Sequence, residues 1–97
     1  MIKQRYNIAN NKVLDELYMA LREESDRETR EFCLVRESVI GYNEDKIYHV
    51  LNATVTLNFN NGMPPIEIVA LNKHEVGNAQ SKLESMTTPK IKFEKIQ

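Results

Sequence analysis

The chain has 97 residues, of which 41% are apolar and 28% are charged, and its net charge is −1. This length fits one domain and leaves no room for two, and the apolar fraction is too high for a disordered chain. The near-neutral charge argues against a dedicated nucleic-acid-binding protein, which is usually basic. We therefore expect one folded domain over residues 1–97 that has no nucleic-acid partner.

The cysteine content and the absence of long apolar runs bear on location. The single cysteine, Cys33, can form neither an internal disulfide nor a cysteine-based metal cluster. Phe32 and Leu34 flank it, which is the setting of a small buried hydrophobe. No apolar run approaches the ~20 residues needed to cross a bilayer, and no signal-like stretch follows Met1. We expect a cytoplasmic protein that does not contact a membrane.

The first part of the chain predicts a helix after a short N-terminal segment. Residues 1–9 alternate loosely between apolar and polar side chains, which fits an edge strand or an ordered arm. Asn10 or Asn11 is a suitable N-cap, because its side-chain oxygen can accept from the free N–H groups of the first turn. The apolar residues that follow share one helical face: they are Val13, Leu14, Leu17, Tyr18 and Leu21.

Charged residues follow this helix and precede a strand. Residues 22–31 contain only charged and polar side chains, which predicts a solvated helical extension with i,i+4 ion pairs such as Glu23–Arg27. Residues 32–40 begin with four consecutive apolar side chains and predict a strand covered on both faces. Residues 41–45 contain Gly and Asn and predict a turn.

Residues 46–60 show the clearest pattern in the chain, an alternation of apolar and polar side chains. The odd positions from Ile47 to Phe59 are apolar apart from His49, and the even positions 52–60 are Asn or Thr. Alternation over this length predicts one long strand with one face buried. The 13 residues from Ile47 to Phe59 would measure roughly 40 Å as a straight strand, more than the ~30 Å diameter of such a domain. We expect a second subunit to cover the surplus, in a homo-oligomer that is most simply a two-fold dimer.

The last third of the chain predicts a strand, a helix and a final strand. Residues 60–65 form a hairpin connection that two prolines stiffen, and residues 66–71 return as an antiparallel strand. Asn72 caps a second helix, with Glu75 placed to complete a capping box. The apolar stripe of this helix is Val76, Ala79, Leu83 and Met86. Residues 90–96 predict the final strand.

These elements predict an α+β domain with the order α-β-β-β-α-β, and an additional N-terminal strand is the alternative. The sheet is expected to be mostly antiparallel, with four to five strands. Both helices are amphipathic, so we expect them to pack together on its apolar face.

The sequence contains no catalytic, phosphate-loop or metal-binding signature. His49 lies on the apolar side of the predicted strand, where we interpret it as a structural histidine; a catalytic base that works with a carboxylate such as Glu37 is the alternative. His74 is expected at the surface. The two histidines are too far apart in sequence for an ordinary zinc-ligand pair. We therefore predict no enzymatic activity, no cofactor and no metal.

The polar face of the long strand and its loop provide the candidate binding residues. Amides and hydroxyls both donate and accept hydrogen bonds, so a row of them suits an uncharged or nucleotide-like ligand, or a subunit interface. Tyrosine adds a stacking surface, and a stiff apolar loop tip suits a protein contact. The candidate residues are Tyr48, Asn52, Thr54, Thr56, Asn58 and Met63. The alternative is that the row is only the solvated face of a sheet.

Two classes of function fit these observations. The first is a small binding or inhibitory protein that acts through protein–protein contact; an Asn-, Ile- and Lys-rich composition allows a phage origin. The second is a protein that binds or sequesters a small molecule such as a nucleotide. An enzyme that uses His49 ranks last, because no motif supports it.

Substitutions on the two sides of the long strand test the assignment of its faces. We expect Leu57→Asp to abolish folding, because it buries a charge without a partner. Thr56→Ala should change the free energy of unfolding by less than ~1 kcal/mol, because it alters a solvated face. Urea melts measure both variants, and equal stabilities would show that the faces are assigned wrongly.

Overall fold

An antiparallel sheet and two helices make up the described part of the chain. The computed structural model describes residues 1–27, 45–59 and 62–96 and the backbone of 35–38. The predicted α+β class is confirmed there. The elements are β1 (Ile2–Asn7), α1 (Asn11–Asp26), β2 (Val35–Ser38), β3 (Asp45–Val50), β4 (Ala53–Asn58), β5 (Ile66–Ala70), α2 (Lys73–Ser85) and β6 (Glu94–Ile96).

The N-terminal strand lies inside the sheet. Within the described residues the strand order is β2-β3-β4-β5-β1-β6, and each neighbouring pair is antiparallel. Ile2 of β1 pairs with Ala70 of β5, and Asn7 pairs with Glu94 of β6. The additional strand is therefore confirmed, but it is an interior strand and not the edge strand or arm expected from the sequence.

The single long strand predicted for residues 46–60 is wrong, because this segment forms the hairpin of β3 and β4. Val50 pairs directly with Ala53, and Leu51 and Asn52 form a two-residue turn between them. Leu51 has a φ of 55°, in the left-handed region that hairpin turns require. Apolar and polar side chains alternate both before and after this turn, and because of that the segment 46–60 resembled one strand.

The turn changes which positions face the core. Directly paired residues of an antiparallel ladder lie on the same face. Tyr48 and Val50 are buried before the turn, whereas Val55 and Leu57 are buried after it, so the buried positions change from even to odd. His49, predicted on the apolar face, is exposed on the opposite one. The overlong strand that led us to expect a dimer is absent, because β3 and β4 have six residues each.

Both helices pack on the face of the sheet that carries these buried side chains, as predicted. α1 contacts β2, and α2 contacts β5, β1 and β4. Asn10 Oδ1 accepts from the Val13 backbone N–H at 3.3 Å, and Asn72 Oδ1 accepts from that of Glu75 at 3.0 Å. Each asparagine therefore caps its helix. The buried helical residues are Val13, Leu14, Leu17, Leu21, Val76, Ala79 and Leu83.

The solvated extension of α1 is confirmed as far as Asp26, but its ion pair differs from the predicted one. Arg27 Nη1 lies 3.8 Å from Glu24 Oε2, and the expected partner was Glu23. Arg27 is the C-cap residue, with φ −82° and ψ 98°. Because it has left the helical conformation, the i,i+4 geometry no longer applies to it.

Some sequence predictions concern residues that the structure does not describe. These are the end of the charged extension at 28–31, Cys33 and most of the turn at 41–45. The strand predicted at 32–40 is described at 35–38, as β2. The final strand, predicted from residue 90, begins at Glu94.

A series of hydrogen bonds joins α2 and the segment before β6 to β1. The Tyr6 hydroxyl donates to Gln80 Oε1 at 3.0 Å, and Gln80 Nε2 donates to Glu84 Oε2 at 3.3 Å. The Phe93 backbone N–H donates to the same Glu84 oxygen at 2.7 Å. Tyr6 is fully buried, and its ring centroid lies 5.6 Å from that of Phe93. Burial, followed by the negative charge of Glu84, raises the pKa of Tyr6 to about 12.

The Tyr6 hydroxyl should make stability depend on alkaline pH. Its folded-state pKa of about 12 exceeds the ordinary 10.0, so its contribution is fully present below pH 10 and is lost as the pH rises towards 12. Tyr6→Phe should lower the free energy of unfolding by about 1 kcal/mol at neutral pH, because it removes the hydrogen bond to Gln80. The difference from wild type should shrink between pH 10 and pH 12. Urea melts across this range measure it, and a constant difference would contradict the expectation.

Two substitutions at Leu51 distinguish the hairpin from a straight strand. The left-handed conformation costs an L-residue ~1–2 kcal/mol and is worst for a β-branched one. We expect Leu51→Gly to preserve or raise the free energy of unfolding, and Leu51→Val to lower it by more than ~1 kcal/mol. A straight strand would give the opposite order, because valine favours strands and glycine weakens them. Urea melts rank the two variants, and a valine variant more stable than the glycine variant would rule out the turn.

Candidate functional site

Within the described part of the chain, no helix covers the side of the sheet opposite the core. We call this side the open face; its central residues are Lys3, Arg5, Ile47, His49, Thr54, Thr56, Glu67 and Val69. Neighbouring strands place Ile47 beside Thr56, and Thr54 beside Val69. All four of these side chains are half-buried by their neighbours on the sheet. The open face is therefore a mixed surface of β-branched and hydroxyl-bearing residues with charges towards β1.

A cleft lies at one end of the open face, where the loop between β4 and β5 returns over the sheet. The backbone N–H of Asn58 donates to the Pro65 carbonyl at 2.8 Å, which closes this loop. The cleft has a volume of about 250 Å³. It is lined by Arg5, Asp45, Ile47, Thr56, Asn58, Met63, Pro64 and Glu67. Four strands and one loop therefore contribute to it.

The charged side chains of the cleft differ in whether they have a hydrogen-bond or ion-pair partner. Arg5 Nε donates to Glu67 Oε2 at 3.0 Å, and about half of the Arg5 side chain is exposed. An ion pair this exposed adds little to stability, about 0–1 kcal/mol, but it neutralises two of the three charges. Asp45 Oδ1 is shielded from solvent and accepts no hydrogen bond. The carboxylate of Asp45 is therefore the uncompensated group of the cleft.

Three of the six candidate binding residues meet in this cleft: Thr56, Asn58 and Met63. Thr54 lies on the same open face, one pair further along the ladder of β4 and β5, opposite Val69. Met63 is exposed at the loop tip, as the sequence predicts. Thr54, Thr56 and Asn58 therefore form a row on the outward side of a single strand, β4.

The other two candidates have different positions. Tyr48 is fully buried on the core face, because the hairpin turn reverses the phase of β3, so it offers no stacking surface. Asn52 lies in the turn itself, and its Nδ2 donates to Glu75 Oε2 at 3.2 Å. That contact joins the hairpin to the first turn of α2. The Glu75 carboxylate therefore serves this tertiary contact, whereas its backbone N–H is capped by Asn72.

The backbone register places His49 and position 37, its suggested carboxylate partner, on opposite faces of the sheet. His49 pairs in register with Arg36, whereas Glu37 pairs with Tyr48. Successive positions of a strand alternate between faces, so the register does not bring position 37 to the face of His49. His74 is exposed near the start of α2. The described residues include no group of three or more histidine, cysteine, aspartate or glutamate side chains that could hold a metal.

A second cavity of about 410 Å³ lies on the other side of Asn58 and Met63. The start of α1 and the end of β1 form its far wall, with Asn7, Asn11 and Asp15. Its described lining contains no lysine or arginine. An anionic ligand would therefore meet amides and a carboxylate, without a cation to bind it.

No protein-family model, curated protein or solved structure matches this chain. Neither of the two described helices has the length and apolar composition to cross a membrane. The interpretation of the cleft therefore depends on its own chemistry.

Sequence reasoning missed three charged residues of the cleft. Arg5 was one polar position of the loosely alternating N-terminal segment, Asp45 was assigned to a turn, and Glu67 was one polar position of a predicted strand. No local pattern connects them, because antiparallel pairing brings together positions that are far apart in the chain. The sequence signals near this cleft were the polar row of β4 and the exposed Met63, and neither indicates a charge.

Proposed function

We propose that this protein is a small binding module that contacts another protein through the open face of its sheet. The observation that carries the proposal is the mixed surface around Thr54, Thr56, Ile47 and Val69, which no described helix covers. A more specific form of this proposal is an inhibitor that acts by occupying its partner's surface. A phage origin is also proposed, and it is supported by the amino-acid composition alone. We also propose a cytoplasmic location, because a small domain with one cysteine is typical of a reducing compartment.

The size of the open face favours a small contact. The four strands that supply the open face, at ~4.8 Å spacing, and five to six residues at ~3.3 Å give a footprint roughly 20 Å on a side. That area, ~400 Å², is below the ~800 Å² that each partner buries in a specific interface of standard size. The half-buried Ile47 and Val69 can provide apolar contacts, with the exposed Lys3 and His49 beside them. The proposed contact is therefore reversible and limited in area.

A second copy of the chain is the alternative partner. The argument from strand length no longer supports a dimer, since the long strand is a hairpin. The open face itself could still pair with another copy, because it carries both charge signs in Arg5 and Glu67. The molecular mass in solution distinguishes a dimer of this chain from a monomer that binds a different protein.

A small polar ligand is the second candidate function, and the convergence of Thr56, Asn58 and Met63 in one cleft favours it. The charges argue against a nucleotide. Arg5 is the sole cation among the described residues that line the cleft, and it is bound to Glu67. Two carboxylates would repel the phosphates. A ligand of this cleft is therefore neutral or cationic.

Matched arginine substitutions test the open face. Thr54→Arg places a cation at the centre of the face without burying it, so we expect the fold to be kept and the Kd for a captured partner to rise at least tenfold, or ~1.4 kcal/mol. Ser81→Arg adds the same charge on the exposed side of α2 and should leave the Kd within about twofold, since the change costs under ~0.5 kcal/mol. Capture from a cell lysate followed by titration of the purified partner measures this.

Sedimentation equilibrium of the wild type comes first in this test. A mass near 11.3 kDa leaves the open face to a different protein. A dimer that Thr54→Arg dissociates would identify a second copy as the partner. Equal affinity of the two arginine variants for the partner would contradict the proposal.

A further inference from the structure

A groove lies on the helical side of the sheet, between α1 and the segment that follows α2. It has a volume of about 530 Å³ and is open to solvent. Its described walls are Asp15, Glu16, Met19, Ala20 and Glu23 of α1 and Met86, Thr87 and Thr88 after α2. Because α1 packs on the core side of the sheet, this groove is separate from the open face.

The middle of the groove is apolar. Met19 is 58% exposed although it is a large apolar residue, and the half-buried Met86 faces the same groove. Methionine side chains are flexible and polarisable, so they adapt to apolar groups of different shapes. Ala20 is small and allows a bound chain to approach α1 closely. Thr87 is buried with its hydroxyl within hydrogen-bond distance of two carbonyl oxygens, which fixes the opposite wall.

The charges that border the groove have one sign. Asp15 and Glu16 lie towards the start of α1 and Glu23 towards its end, and all three are exposed. In the part of the chain that the structure describes, none of them forms an ion pair. Lys12, one turn before Glu16, lies outside the groove and is not paired with a described residue either. The groove therefore attracts cations at both ends of an apolar centre.

The spacing of these carboxylates matches a second helix. A rise of ~1.5 Å per residue separates Glu16 from Glu23 by about 10 Å along the axis of α1. On another helix, residues seven positions apart are separated by the same distance and share one face. Two cations with this spacing can each approach one acidic end of the groove. Apolar residues three and four positions after the first cation then lie over Met19 and Met86.

Other occupants fit the groove less well. A nucleic acid or an anionic membrane surface would be repelled by the three carboxylates. A divalent cation needs several oxygen ligands within about 2.6 Å, whereas Glu16 and Glu23 are about 10 Å apart along the helix. The same groove on a second copy of the chain would place like charges against each other.

We infer that this groove binds an amphipathic helix of another protein, with an apolar centre and a lysine or arginine at each end of the contact. The inference goes beyond the proposed function, because the groove and the open face lie on opposite sides of the sheet. In this arrangement the apolar side chains of the bound helix contact Met19 and Met86. Its two cations lie beside Glu16 and Glu23 and select it against neutral or acidic helices.

NMR titration of the full ¹⁵N-labelled chain with a synthetic helical peptide tests this inference. The probe is acetyl-AQKAALLAQKAQAA-amide, in which two lysines and two leucines share one helical face. We expect saturable shifts of the Ala20 and Met86 amides. The control is acetyl-AQAAKLLKQAAQAA-amide, which has the same composition but carries its lysines on the side opposite the leucines. It should bind at least fivefold more weakly, because its leucines and lysines cannot reach the groove together.

Two exposed methionines provide matched variants. Met19→Lys places a cation in the middle of the groove and should weaken binding of the probe at least tenfold. Met63→Lys makes the same change at a position of similar exposure, 55%, outside the groove, and should leave the affinity within twofold. Both variants should keep the melting temperature within about 4 °C of wild type, because neither side chain is buried. Glu23→Gln should weaken binding at least threefold, whereas Glu94→Gln on β6 should not change it.

Equal binding of the two peptides, or equal affinity of the two lysine variants for the probe, would overturn the inference. A dimer of this chain that Met19→Lys dissociates would show that a second copy occupies the groove, and it would overturn the inference as well. The proposed function can fail separately. Thr54→Arg, on the open face, should leave the affinity for the probe unchanged whether or not a partner of the open face is found.

Discussion

Direct pairing of Val50 with Ala53 across a two-residue turn determines the rest of this structure. Paired residues share a face of the sheet, so this register sends Tyr48 and Val55 to the same side. A shift of one residue would move Leu57 to solvent and the threonines of β4 into the core. The two helices bury the face that this register makes apolar. Leu51 adopts a left-handed conformation at the turn. The free energy gained by burying the apolar side chains of both strands outweighs the cost of that conformation.

Packing on one side leaves the sheet with a second face that the core does not need. Antiparallel sheets tolerate such a face when polar side chains alternate with apolar ones. Here Thr54, Thr56 and Asn58 occupy it, and the return of the loop at Met63 encloses its end as the cleft. The candidate site therefore consists of side chains whose identity the core does not restrict. Changes there can alter binding at little cost in stability.

Polar contacts on the other side of the sheet serve the fold. The Tyr6 hydroxyl donates to Gln80 Oε1, Gln80 Nε2 donates to Glu84 Oε2, and the Phe93 backbone N–H donates to the same Glu84 oxygen. These hydrogen bonds hold α2 and the segment before β6 against β1. The polar groups of the core side therefore stabilise the structure, whereas those of the open face are left to contacts outside it.

Local patterns in the sequence were sufficient for both helices, their caps Asn10 and Asn72, and the strand β5, because side-chain periodicity and capping depend on neighbours within a few residues. The same patterns misjudged the hairpin, although consecutive apolar residues at Val50 and Leu51 marked the change of phase. These local patterns did not predict the cleft. Arg5, Asp45 and Glu67 come together only through the pairing of β1, β5, β4 and β3, and that order is set by burial of the whole apolar face and not by any segment alone.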